Sequence, residues 1–248
     1  TNEYACQGES VAFTDISFLS AGNIVSWDWD FDNGAGASSN QNPNYTFPLV
    51  GTYPVVLTVT SDSGCVGTVT NNINVLSGPD AAFTFAPDPA FALENVNFTD
   101  QTIGAVTDWY WNFGDGIGGN TQNIIHQYTN GGEFMITLEV TDTAGCVDTT
   151  SQMINVILMP VLPTGFTPNG DGENDIFLIR GGPFEAVDFR IYNNWGQLIF
   201  TSDDANIGWD GTYGGEDAPI GVYTWTFSVT VSSARPVVTG KGDVTLLR

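Results

Sequence analysis

Four oxygen-bearing side chains alternate through a glycine-rich run, Asn169-Gly170-Asp171-Gly172-Glu173-Asn174-Asp175, and a hard cation takes oxygen ligands of this kind. Asn169, Asp171, Glu173 and Asp175 are therefore a candidate Ca²⁺ set. The run departs from a full EF-hand loop, since Gly172 stands at position 4 instead of 6 and Arg180 falls where the closing glutamate belongs. The other reading of the same residues is an Asx-type turn whose carboxylates take backbone N–H groups and set up a strand from Ile176. A second acidic row, Asp28, Asp30 and Asp32, alternates with Trp27, Trp29 and Phe31, which reads as the solvated face of a strand. Nucleophilic catalysis has little material. His126 is the single histidine and would have to serve any Ser-His-Asp triad, and its imidazole is expected instead to fix a local turn through a backbone hydrogen bond. No sequence context singles out a carboxylate pair of the glycosidase kind among the 28 acids. Tyr4, Tyr45, Tyr110, Trp195, Tyr213 and Trp225 could stack on a glycan if exposed, although core packing is the default for rings at strand spacing.

Charge narrows the partners. Of 248 residues, 28 are Asp or Glu and five are Lys or Arg, giving a net charge of −23, and all five cations lie at or beyond Arg180. Nucleic-acid binding relies on cations that displace counterions from phosphate, so a stretch of 159 residues without Lys or Arg argues against DNA or RNA. Anionic membrane surfaces are disfavoured for the same reason. No apolar stretch is long enough for a transmembrane helix, so no membrane insertion by a helix of the chain's own is expected. Thr1 is not followed by a hydrophobic leader, and a mature fragment is expected.

The elements that must position these residues are strands. Val, Ile, Thr and aromatic residues recur in alternating runs between Gly, Pro, Asn and Asp, and no window holds a helical period for three turns. An internal repeat organises the first part. Val11-Ala12-Phe13-Thr14-Asp15 returns as Val96-Asn97-Phe98-Thr99-Asp100, Trp27-Asp28-Trp29-Asp30-Phe31 as Trp109-Tyr110-Trp111-Asn112-Phe113, and Gly64-Cys65 as Gly145-Cys146. Gly34 and Gly116 follow the signature strands and permit the positive backbone angles of a tight turn. Each repeat resembles a PKD domain, an immunoglobulin-like β-sandwich marked by a Trp-Asp-Phe-Gly-Asp-Gly-like strand and turn. The second repeat fits better, with Trp-Asn-Phe-Gly-Asp-Gly at 111–116 and His126 two residues before Tyr128. The first departs, with Asp32-Asn33 in place of Gly-Asp and Pro43 where the histidine is expected. Three cysteines are distributed unequally, two in the first repeat and one in the second. The simplest pairing is a disulfide between Cys6 and Cys65, closing a loop of about 60 residues and contributing about 4 kcal/mol, with Cys146 left as a buried thiol.

From Pro160 onward the pattern changes. Thr167 to Asp175, Asn194-Trp195-Gly196, Gly208-Trp209-Asp210-Gly211, Gly221-Val222-Tyr223 and the closing Lys241-Gly242 to Leu247-Arg248 together make this segment similar to the gliding-motility-associated C-terminal domain, the type B sorting domain of the type IX secretion system of Bacteroidetes. The expected fold is all-β, three consecutive immunoglobulin-like β-sandwich domains at 1–77, 78–158 and 159–248, joined by a short turn-rich linker near Ser77-Gly78-Pro79-Asp80 and a short one near Leu158-Met159-Pro160. The resemblance implies a non-catalytic C-terminal part of a secreted surface adhesin of the gliding type, held at the cell surface after crossing the outer membrane. Its implied partners are the type IX translocon and a PorP/SprF-type outer-membrane barrel. Recognition is expected at Gly240, Lys241, Gly242, Leu246, Leu247 and Arg248, because a C-terminal strand can be presented as a free edge, and the glycines are expected to allow a turn or bulge. A second class of function is a polysaccharide- or matrix-binding module at the end of a secreted hydrolase.

Overall fold

The computed structural model describes residues 4–31 and 36–248 and contains no helix among them. Its buried residues gather into three hydrophobic clusters lying within 5–75, 81–156 and 166–246. Alternation builds the first two. In the strand Ile24–Asp30 the Trp29 ring is buried and Trp27 is half-buried, while Asp28 is exposed. The equivalent strand Val106–Asn112 buries Trp111 and half-buries Trp109. Burying an aromatic ring of this size contributes about 1.5–3 kcal/mol, so these strands supply much of each small core.

The main sheet of the first repeat runs in the order Tyr4–Cys6, Val66–Leu76, Gly51–Ser61, Ile24–Asp30, Ala37–Ser38. In the second repeat the order is Ala90–Phe91, Val147–Val161, Gly132–Asp142, Val106–Asn112, Gly118–Gly119. The register even shifts at the same place in both signature strands, between Ile24 and Ser26 and between Val106 and Asp108. The opposing sheets differ. The second repeat has three strands, Ile124–His126, Val96–Asp100 and Phe83–Ala86, whereas the first has only Ser10–Ala12 paired with Asn44–Thr46 among the described residues. In the C-terminal module a sheet ordered Gly165–Phe166, Val238–Leu246, Gly221–Thr230, Ala186–Tyr192, Leu198–Ser202 presents Tyr223, Phe227, Val229, Val244 and Leu246 to the core. Phe177, Ile179, Trp209 and Ala218 pack over that face from short segments.

Two expectations about the junctions are corrected. The disulfide joins Cys6 to Cys146, with Cα atoms 5.5 Å apart, and Cys65 is free and exposed. Cys6 pairs with Leu76 at the far end of the strand Val66–Leu76, while Cys65 directly precedes that strand's start. Eleven extended residues at about 3.3 Å each put the two ends of that strand roughly 33 Å apart, well beyond the ~7 Å that a disulfide can bridge. Cys146 stands in the equivalent hairpin of the second repeat, against the connection between repeats: a Cβ added at Gly78 would lie 3.2 Å from that of Cys146. The second correction concerns Leu158 to Pro160, expected as a linker. Those residues belong to the continuous strand Val147–Val161, whose end pairs with Arg180–Gly182 of the C-terminal module.

Candidate functional site

The C-terminal module carries three built features. The first is the loop 169–175. Both carboxylate oxygens of Asp175 accept backbone N–H groups, Oδ1 from Asn169 and Gly170 at 3.0 and 2.8 Å, and Oδ2 from Gly172 at 2.8 Å. The N–H groups of Gly170 and Gly172, foremost, hold the Asp175 carboxyl below its ordinary range, against a small opposing effect of desolvation. Asp171 accepts the Glu173 N–H at 2.8 Å and the Asn169 side-chain amide at 2.9 Å. The oxygens of Asn169, Asp171 and Asp175 thus serve the turn itself, and Thr167 N–H closes it onto Asn174 O. Among the described residues no group of three or more His, Cys, Asp or Glu is placed to hold a metal, so Asn169, Asp171, Glu173 and Asp175 do not form a cation cage in this conformation.

The second feature fixes the chain's last residue. Trp209 is buried, donates from Nε1 to Thr212 O at 2.8 Å, and meets the Tyr223 ring edge-on at 4.7 Å. Around it, Arg248 donates to Ala218 O at 2.7 Å and Gly211 O at 3.1 Å and lies 3.2 Å from Asp217. Arg248 is therefore a clamp on the segment 211–218, which C-terminal position and charge alone do not disclose. Burial pushes the neighbouring Tyr223 hydroxyl up, and the Arg248 charge opposes that shift.

The third is the terminal strand. Val238–Leu246 is one unbroken strand, antiparallel to Gly221–Thr230, so Gly240 and Gly242 make no turn. They stand opposite Phe227 and Trp225, and a Cβ at either position would meet those rings at 2.4 and 2.6 Å. The glycines make room for aromatic side chains laid across the strand. The expected free edge is also qualified. Gly165–Phe166 pairs in parallel with Thr245 and Leu246, and the other edge belongs to Gly221–Thr230, so among the described residues only the part before Thr245 keeps an edge without a strand neighbour. Leu246 is a core residue, whereas Lys241 and Leu247 are exposed.

Other candidate residues separate cleanly. His126 Nε2 lies 2.7 Å from Asp115 Oδ2, and the ring stacks on Phe113 at 4.2 Å. Its partner is thus a side-chain carboxylate, where a backbone partner was expected. Tyr45, and not Pro43, occupies the same place in the first repeat, stacked on Phe31 at 4.4 Å. Burial, with the Asp115 charge adding to it, pushes the Tyr128 hydroxyl well above its usual range, and that hydroxyl donates to Phe113 O at 3.1 Å. Asp28 is exposed and Asp30 half-buried; Asp32, Asn33 and Gly34 lie outside the described residues. Of the rings offered for stacking, Trp195 is 86% exposed at a hairpin tip held by Asn193 Oδ1, while Tyr4, Tyr110 and Tyr213 are exposed on separate elements and Tyr45 and Trp225 pack against neighbours.

Sequence reasoning missed a pair of equivalent aspartates. Asp15 and Asp100 accept the indole N–H of Trp27 and Trp109 at 2.6 and 2.9 Å and the side-chain amides of Gln41 and Gln122 at 3.2 Å each. Burial pushes both carboxyls up, but hydrogen bonds to Ser17, Trp27 and Gln41, or to Thr102, Trp109 and Gln122, outweigh it and hold both below the ordinary value. The recurring dipeptides Gln41-Asn42 and Gln122-Asn123 were the available signal, since each asparagine also accepts its aspartate's N–H.

Comparison with known proteins agrees with this anatomy. A PKD domain model matches residues 1–75 and 82–157, more than half of the sequence, and the chain belongs to the PKD domain family. Residues 161–242 match the CHU_C Type IX secretion signal domain. The chain is thus a pair of PKD-like sandwiches followed by a type IX secretion signal domain, all non-catalytic module types, and the signal implies secretion to the cell surface or beyond by that system. Among solved structures, the PKD1 domain of the Vibrio cholerae metalloprotease PrtV is 30% identical over 32% of this chain and 95% of its own, with a TM-score of 0.29. The PKD1 domain of Vibrio anguillarum Epp is 26% identical over 32% of this chain and 94% of its own, at 0.29. The titin I-band fragment I67-I69 is 14% identical over 99% of this chain and 95% of its own, at 0.39.

Proposed function

We propose that this chain is the C-terminal part of a secreted surface adhesin serving gliding or attachment, in which the two PKD-like units are spacers and the segment from about 159 onward is exported by the type IX translocon and then held by a PorP/SprF-type outer-membrane barrel. The observation that carries the reading is the match of residues 161–242 to a type IX secretion signal domain. Supporting it, the upstream 159 residues carry no Lys or Arg, which suits a repelling spacer on a crowded surface. Trp195, exposed at a hairpin tip beside Gln197 and Tyr213, supplies an aromatic anchor of the kind that dominates protein interfaces. A photo-crosslinking amino acid at Trp195, in the chain displayed on a type IX-competent gliding bacterium, tests the partner. Crosslinks to an outer-membrane barrel are expected. Efficient display with crosslinks only to other proteins, or release of all chain into the medium, would contradict attachment by a barrel.

A further inference from the structure

In this architecture the repeat-to-repeat disulfide has a direction. The first repeat supplies Cys6 from the trailing end of its sandwich, beside Leu76, and the second receives it at Cys146, in the hairpin at its leading end beside the incoming chain. Cys65 occupies the same receiving hairpin in the first repeat. Ser61 N–H donates to Cys65 O at 2.9 Å as Asp142 N–H does to Cys146 O at 3.0 Å. Gly64 and Gly145 take φ of 82° and 86°, and the Cys65 and Cys146 N–H groups donate to Ser61 Oγ and Asp142 Oδ1. One member of the pair is bonded and the other is exposed.

A second observation points the same way. A cleft of about 640 Å³ opens on the first repeat between Phe13, Trp29, Val55, Leu57, Asn71 and Ile73. Their equivalents in the second repeat, Phe98, Trp111, Ile136, Leu138, Gln152 and Ile154, belong to or border a core closed by the strand Phe83–Ala86, which carries the chain in from the preceding sandwich. There Phe83 is buried edge-on to Trp111 at 5.2 Å, and Gln152 Nε2 donates to Phe83 O at 2.7 Å. The second repeat therefore shows both occupants for which the described residues of the first repeat leave room, a cysteine and an incoming strand.

We propose that the leading end of the first repeat is a docking surface for another PKD-type sandwich of the same polypeptide, which bonds its opening-strand cysteine to Cys65 and whose connection into the first repeat lays a strand equivalent to Phe83–Ala86, with a large apolar residue where Phe83 stands, in the Phe13–Trp29 cleft. The bond forms by exchange with a disulfide-bearing oxidant of the thiol–disulfide class. The partner cysteine first becomes a mixed disulfide with that oxidant. The Cys65 thiolate then attacks the partner sulfur, the new S–S bond forms as the mixed one breaks, and the oxidant departs as a dithiol carrying two electrons, with the two protons lost from the cysteines. A series of such junctions would tie each sandwich to the next.

The test appends a second copy of residues 1–86 ahead of Asn2 of the chain, which keeps the spacing that Phe83–Ala86 has to Phe91. After oxidative folding, non-reducing peptide mapping should link the appended Cys6 to the resident Cys65 and the resident Cys6 to Cys146, and iodoacetamide labelling of the resident Cys65 should fall from complete to trace. Hydrogen exchange provides an arm independent of sulfur. In the fusion with the resident Cys65→Ser, the amides of 11–13 should exchange more slowly than in the chain without the added unit. A resident Cys65 that stays fully labelled while Cys6–Cys146 forms, a Cys65–Cys65 dimer, or unchanged exchange at 11–13 would each overturn the proposal.

Discussion

Gly240 and Gly242 illustrate what single residues contribute, because each is fixed by the ring lying across it. A valine at Gly242 would drive a side chain into the Trp225 ring, which a Cβ alone already meets at 2.6 Å. Overpacking of this kind costs about 1–3 kcal/mol. Urea unfolding of Gly242→Val should show that loss, whereas Lys241→Gln, exposed on the other face of the strand, should unfold within about 0.5 kcal/mol of the parent. At Asp100 the prediction concerns pH. Its folded-state pKa is depressed below the ordinary 3.8, so the stability it adds is present above that value and is lost as pH falls through the lower folded one. Asp100→Ala should cost about 1–3 kcal/mol near neutrality by leaving the half-buried Trp109 N–H without its acceptor, and its melting temperature should fall less than the parent's on acidification below about pH 4. An equal acid response in both proteins would remove Asp100 from the account.

At the scale of elements, the junctions carry the new information. The strand type, the inward aromatic rows and the two-fold repeat were legible because alternation and spacing are local and recur within the chain. The disulfide partner was not, because counting cysteines per repeat ignores that Cys6 and Cys65 mark opposite ends of one strand. Nor was the strand Val147–Val161 readable as continuous, since Pro160 and Met159 resemble a linker until Arg180–Gly182 pairs beside them. Arg235 is similar. Its guanidinium sits 4.7 Å from the Phe91 ring centroid and 2.5 Å from Glu94 Oε2, tying the C-terminal module to the second repeat across 141 positions. For the same reason Arg248 was expected only as part of a recognition strand, and the run 169–175 left a cation set and an Asx-type turn both open until Asp175 was found gathering its own loop's N–H groups. Two outcomes follow. Reduction, or Cys6→Ser, should speed proteolysis within 77–81 while leaving the unfolding of the C-terminal module unchanged. A chain-entropy estimate for a closed loop of about 140 residues gives up to about 5 kcal/mol for the bond, read as a lower denaturant midpoint of the repeats. Arg248→Gln should lower the midpoint of the C-terminal module, because two carbonyls and Asp217 lose their partner, and equal midpoints for Arg248→Gln and Lys241→Gln would refute the clamp.

Across the whole molecule, three cores in series are tied at both junctions, by a disulfide at the first and by a shared strand and an ion pair at the second. Such ties suit the spacer role proposed for the two repeats, which would have to hold their direction without folding back. The two acidic, cation-free repeats add repulsion from like neighbours. The functional weight then falls on the C-terminal module, of which residues 161–242 match a type IX secretion signal domain; its final strand puts Val244 and Leu246 in the core, while Lys241 and, just past the strand, Leu247 face solvent. The most direct measurement is surface display of a reporter fused to residues 160–248 in a type IX-competent bacterium, compared with the same fusion carrying Lys241→Gln and with one ending at Gly242. The intact fusion should reach the surface, and the truncated one, stripped of Val244, Leu246 and the Arg248 clamp, should accumulate in the periplasm. Lys241→Gln separates lost recognition from unfolding, because it keeps the fold and should lower display only if the exposed side of the strand is read. Surface display of the truncated fusion equal to that of the intact one, or periplasmic retention of the intact fusion, would contradict the assignment of export to this module and its last strand.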